Sequence, residues 1–108
     1  MVCKVQMTRL AQKQLSEYIG YIRSEFKNQE AARAVLRDAR ETKEVLLNTA
    51  ESLALCDDPD LRALGYRVIF FRRHRYLFVY SIHGETVYIE ATCHELQDYE
   101  NAFKHTML

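Results

Sequence analysis

Between Arg62 and His83 the chain carries five arginines, Arg62, Arg67, Arg72, Arg73 and Arg75, together with His74 and His83, and no Lys, Asp or Glu. From Gly84 to Asn101 the sign reverses: Glu85, Glu90, Glu95, Asp98 and Glu100 stand there without a Lys or Arg. A guanidinium is planar and presents a fork of N–H donors, so it grips a phosphate or a carboxylate through two bonds at once. An all-arginine block therefore points to one of those two groups as its ligand. The plainer alternative is two solvated sheet edges of opposite charge that attract each other.

The other reactive side chains offer less. His74, His83, His94 and His105 show neither H-x-x-x-H nor H-E-x-x-H spacing, and Cys3, Cys56 and Cys93 contain no C-x-x-C pair. Nothing in these spacings recommends a metal site, and no cofactor is expected. Three scattered thiols suit a reducing compartment better than a disulfide framework. Cys93 lies beside His94, but neighbours on a strand point to opposite faces, which counts against a thiol nucleophile activated by that histidine.

These residues need elements to hold them. Residues 2–7 alternate, with Cys3, Val5 and Met7 on one face, and read as a short strand. Thr8 can cap a helix whose apolar face is Leu10, Ala11, Leu15, Tyr18, Ile19, Ile22 and Phe26. Asn28 caps a second, with a stripe of Ala32, Val35, Leu36, Ala39, Leu46, Leu47, Ala50 and Leu53. The short break at 27–29 makes the two an antiparallel hairpin. Asp58-Pro59 can open one further helical turn.

Beyond it the period turns strand-like. Residues 66–71, 76–82 and 86–93 are rich in aromatic and β-branched side chains. Short connections at 72–75 and 83–85 suit hairpins, and Gly84 supplies any positive φ. Residues 95–103 set Leu96, Tyr99 and Phe103 at helical spacing. The expected fold is α+β: an N-terminal strand, a helical hairpin packed on a three- to four-stranded antiparallel sheet, and a short C-terminal helix. If the fourth strand runs straight, Tyr88, Glu90, Thr92 and His94 share the outward face.

Bulk properties bound the class. The 108 residues predict a single domain over 1–108, and 48% hydrophobic with 28% charged residues excludes a disordered or fibrous chain. No apolar run reaches the ~18 residues of a membrane span, and the first ten residues lack a signal-peptide core, so a cytoplasmic protein is expected. Fifteen basic against fifteen acidic side chains give zero formal net charge. That balance alone argues against nucleic acid as partner, since binding it requires neutralising cations. The block arrangement argues the other way.

The segment GYRVIFFRRHRYLFVYSIHGETVYIEATCHELQDYENAF, set in this order of elements, resembles the RelE/ParE superfamily of toxins from bacterial type II toxin–antitoxin systems, also called plasmid-stabilisation proteins. The dense part lies within residues 65–99: G-Y-R, then H-R-Y-x-x-x-Y, then C-H-E-L-Q-D-Y-E. The helical half matches in pattern only. The resemblance implies a toxin that arrests growth and is silenced by a cognate antitoxin. RelE-like members are mRNA interferases that cut ribosome-bound mRNA without a metal; ParE-like members inhibit DNA gyrase. The expected activity is the RelE-like cleavage of ribosome-bound mRNA, with gyrase inhibition, or an inactive member that only binds its antitoxin, as the alternatives.

Metal-free endoribonuclease chemistry needs a base for the 2′-hydroxyl, cations for the phosphate and an acid for the leaving oxygen. Carried onto this chain, the resemblance makes Arg67, Arg75, His94 and Tyr99 the catalytic candidates, with Arg72, Arg73 and His74 as substrate-binding residues. The family's second arginine more often stands two positions later, where this chain has Leu77. Plainer roles exist for each. Tyr99 shares a stripe with Leu96 and Phe103, His94 can bond to backbone, and a basic hairpin tip protects sheet edges. Glu90 is a further candidate base, or the partner of an arginine on a neighbouring strand. A pI near 6.9 also departs from the strongly basic RelE-like ribonucleases.

Overall fold

The computed structural model describes residues 2–107. Strand β1 (Lys4–Met7) leads into helix α1 (Arg9–Glu25), which starts where Thr8 Oγ1 accepts the Ala11 N–H at 3.2 Å. Helix α2 (Gln29–Thr49) starts the same way, with Asn28 Oδ1 accepting the Ala31 N–H at 2.9 Å. Each cap satisfies a donor that the first helical turn leaves unpaired. Asp58 caps the short α3 (Pro59–Ala63) by accepting from Asp60 and Leu61, both at 3.1 Å. Then come β2 (Arg67–Phe70), β3 (Tyr76–His83), β4 (Thr86–His94) and α4 (Tyr99–Met107).

The sheet order is β1-β4-β3-β2. The last three strands form the expected antiparallel meander, with Gly84 at φ +62° in its second turn. The first strand departs from expectation: β1 lies parallel to β4, so the sheet is mixed. The chain leaves β1 through the helical hairpin and returns to the sheet far downstream, a crossover that permits parallel pairing.

Both faces of the sheet are covered. The helical hairpin lies on one, where Leu15, Ile19, Val35 and Leu46 pack with Ile69, Phe78, Tyr80, Val87 and Ile89. The outer face carries a second cluster in which Leu61 and Phe103 meet Leu77, Val79, Ala91 and Cys93. Strand β4 serves both because it is not straight. Val79 pairs with Ala91 but Tyr80 pairs with Ile89, leaving Glu90 as the extra residue of a β-bulge.

The bulge corrects the outward face expected of Tyr88, Glu90, Thr92 and His94. Tyr88 and Glu90 look outward, as Ser81 bonding to Glu90 attests. Thr92 is buried against α1, with its hydroxyl on the Ala11 carbonyl at 3.0 Å and its N–H on Gln14 Oε1 at 2.8 Å. His94 follows it to the helix side.

The last helix begins four residues later than residue 95. Glu95 still donates to Arg75 O at 2.8 Å, extending the ladder, and a turn at Gln97 intervenes before α4. Leu96 is consequently 72% exposed and takes no part in the docking stripe.

Candidate functional site

Arg67 lies on the helix side of β2, paired with Tyr80 of β3. Its guanidinium donates to the Leu53 carbonyl, and the buried Tyr80 hydroxyl donates to the Ala50 carbonyl at 2.7 Å. Together they satisfy carbonyls at and just beyond the end of α2, which no helical N–H reaches. Burial pushes the Tyr80 phenol up to about 12, with Arg67 opposing the shift.

The tip of the β2–β3 hairpin folds onto Asp38, a carboxylate only 1% exposed on α2. Its Oδ2 accepts the Arg73 N–H at 2.9 Å and lies 2.7 Å from His74 Nδ1, while Oδ1 accepts the Arg72 N–H at 3.3 Å. Burial alone would raise this carboxyl. The bonds from His74, Arg73 and Arg72 outweigh it and hold the group below the usual carboxylate value. Arg73 also pairs with Glu41 of α2 at 3.0 Å. The tip arginines are thus displayed from a backbone that a single buried anion fixes.

His94 ends β4 opposite Tyr76, their rings edge to face at 5.1 Å. Its Nδ1 accepts the Leu96 N–H at 3.0 Å, so in the neutral ring the proton sits on Nε2. Tyr76 is tilted on Tyr18 at 4.9 Å, and the Tyr18 hydroxyl donates to Gln97 Oε1 at 2.7 Å. These rings floor a groove of about 570 Å³ between α1 and the sheet end. Tyr21 and Phe26, 58% and 66% exposed, form its outer wall.

Tyr99 sits on the opposite side of the sheet, edge-on to Phe70 at 6.4 Å and packed into the outer cluster. Burial, then the Glu100 charge, holds its phenol above the ordinary value. Arg75, at the foot of β3, is exposed and forms no ion pair among the described residues.

Among the seven candidates, the fold gathers Arg72, Arg73, His74 and Arg75 at one tip and brings His94 beside it. Arg67 is remote. Its partner Tyr80 lies four residues up β3 from Tyr76, or roughly 13 Å, and its guanidinium is turned into the protein. Tyr99 is separated from His94 by the thickness of the sheet. Cys56 and Cys93 are buried in the outer cluster, and burial pushes their thiols up to about 12 and about 11. The acidic segment does not cover the arginine block. Among the described residues none of its five carboxylates pairs with an arginine, and Glu100 instead accepts the Asp58 N–H at 2.9 Å. No group of three His, Cys, Asp or Glu among the described residues is arranged to hold a metal.

Asp38, Tyr18, Tyr76 and Gln97 are the working residues that sequence reasoning passed over. Asp38 had a signal: it stands three after Val35 and eight before Leu46, on the apolar stripe, where a carboxylate demands buried partners.

The model of the ParE toxin family, described as the ParE toxin of the type II toxin–antitoxin system parDE, matches residues 5–99. A solved structure described as the chromosomal ParDE TA system from P. aeruginosa superposes with a TM-score of 0.70 at 19% identity, covering 87% of this chain and 96% of that one. No curated protein matches the chain. The fold is that of the RelE/ParE superfamily. The chain belongs to the ParE toxin family of type II toxin–antitoxin systems, which implies a cognate antitoxin as its partner.

Proposed function

We propose that this toxin arrests growth in the cytoplasm by binding its target rather than by cleaving RNA, with DNA gyrase as the target that its family suggests. The carrying observation is that Arg67 and Tyr99 stand apart from Arg75 and His94, which the fold does bring together. Metal-free phosphodiester cleavage needs a base, an acid and a cation within hydrogen-bond reach of one phosphate. Here Arg67 is spent on the Leu53 carbonyl, and Tyr99 and His94 open to opposite faces of the sheet. A binding toxin needs instead a rigid, accessible surface. Arg72, Arg73 and Arg75 on the Asp38-anchored tip, beside the aromatic groove at His94, supply one. A fixed backbone removes the loop-ordering part of the cost of association and leaves that of the side chains.

The test is to induce the chain without its antitoxin while following DNA and protein synthesis separately, and to assay gyrase supercoiling with the purified toxin. DNA synthesis is expected to fail first, ribosome-bound message to stay intact, and Arg72→Glu with Arg75→Glu to abolish arrest. Cleaved ribosome-bound message with full supercoiling at saturating toxin would overturn this reading in favour of the ribosome-dependent ribonuclease. Normal growth on induction would instead support a member that only binds its antitoxin.

A further inference from the structure

Beside the α4 cluster, where Tyr66 packs edge to face with Phe103 at 5.0 Å, the outer face carries a polar constellation that neither the tip nor the groove uses. Ser81 of β3 pairs with Tyr88 of β4, and continuing the β2–β3 register by one residue sets Tyr66 across from Ser81 on its other side. Two tyrosines therefore flank a central serine, two inter-strand spacings apart, or about 10 Å. The Glu90 bulge delivers a carboxylate into this row, where Oε2 accepts the Ser81 hydroxyl. His83 Nε2 meets the same Ser81 oxygen at 3.1 Å, and its ring stands 5.6 Å from that of Tyr88. Burial and then the Glu90 charge hold the Tyr66 phenol above its ordinary value.

Glu90 is half-buried, no Lys or Arg of the described residues pairs with it, and its carboxylate accepts the Ser81 hydroxyl. A half-buried carboxylate with no cation beside it leaves an oxygen free to take a charge-assisted bond. The Tyr88 ring adds a negative π face, which attracts a cation within ~6 Å of a ring centroid. A guanidinium fits this setting better than an ammonium. It is flat enough to stack on a ring and less strongly hydrated, and its fork can use the oxygen that Ser81 leaves.

We propose that Glu90 and Tyr88 form a receptor for one arginine side chain of a protein partner, with Ser81 and His83 fixing the carboxylate. This inference is independent of the growth target, since it uses a different face from the tip and the groove.

The test titrates the isotope-labelled chain with the peptide acetyl-Gly-Arg-Gly-amide and follows backbone amide shifts. Saturable shifts at Ser81, His83, Tyr88 and Glu90 are expected. The citrulline peptide, neutral and nearly isosteric, should leave them still, and the lysine peptide should bind at least threefold more weakly. Glu90→Gln, which retains an acceptor for Ser81, should abolish the response while keeping the dispersed spectrum of a folded chain. Tyr88→Leu should weaken it at least threefold, and Glu85→Gln should not change it. Equal shifts from arginine and citrulline peptides, equal affinity for lysine, or undiminished binding by Glu90→Gln would each overturn the proposal.

Discussion

Asp38 Oδ2 lies 2.7 Å from His74 Nδ1, and these two residues tie the middle of α2 to the tip of the β2–β3 hairpin. The same carboxylate takes the backbone N–H groups of Arg72 and Arg73, so one buried anion organises three consecutive residues of the basic loop. Asp38→Ala should cost about 3 kcal/mol or more, because it strands donors in a site closed to water. Asp38→Asn, which still offers one acceptor, should cost less. Urea denaturation measures both, and hydrogen exchange at Arg73 should accelerate in each.

The Asp38 anchor also predicts a pH dependence. Its folded-state pKa lies below the ordinary carboxylate value. The anchor's contribution is therefore complete above the unfolded-state pKa of about 3.9 and is lost as pH falls through the lower, folded-state value. Denaturation of wild type and Asp38→Asn in parallel should show a constant gap at neutral pH that closes below about pH 4. A gap unchanged at pH 2 would show that the carboxylate's charge is not what holds the tip.

Arg67→Met should destabilise the fold by about 1.5–3 kcal/mol, the range for a hydrogen bond to a charged group. Its bond to the Leu53 carbonyl is lost while much of its apolar stem is kept. Arg75→Met should change stability by less than about 0.5 kcal/mol, since that side chain is exposed. Thermal melts of the two variants separate a structural arginine from a surface one before any growth assay.

The three thiols should react in two classes. Cys3 is exposed, whereas Cys56 and Cys93 are buried, with thiols raised to about 12 and about 11. A thiol reagent at pH 8 should modify one cysteine rapidly and the remaining two only on unfolding, because the thiolate is the reactive form. Fast modification of Cys93 in the native chain would indicate that α4 does not stay docked.

What was legible in the sequence follows the range of the interactions. Thr8, Asn28 and Asp58 announce their helices because a cap reaches only two or three residues along the chain. The direction of β1 was not legible, for its partner β4 lies some eighty residues downstream. The bulge was hidden for a different reason. Val87, Ile89, Ala91 and Cys93 alternate without interruption, yet the first two bury on the helix side and the last two beneath α4. With both faces covered, hydropathy carries no mark of the switch. The location of His94 and Tyr99 on opposite faces follows from that one unseen residue, so the candidate site was readable as residue types but not as an arrangement.

The extra residue at Glu90 also governs how this strand is compared with others. Deleting it would remove the bulge but leave Ala91, Thr92, Cys93 and His94 facing as they do now, because the bulge restores the phase that a continuous strand would lose. A homologue one residue shorter here should therefore be aligned with a gap at position 90. Counting straight through the strand would match every side chain after it to one from the wrong face.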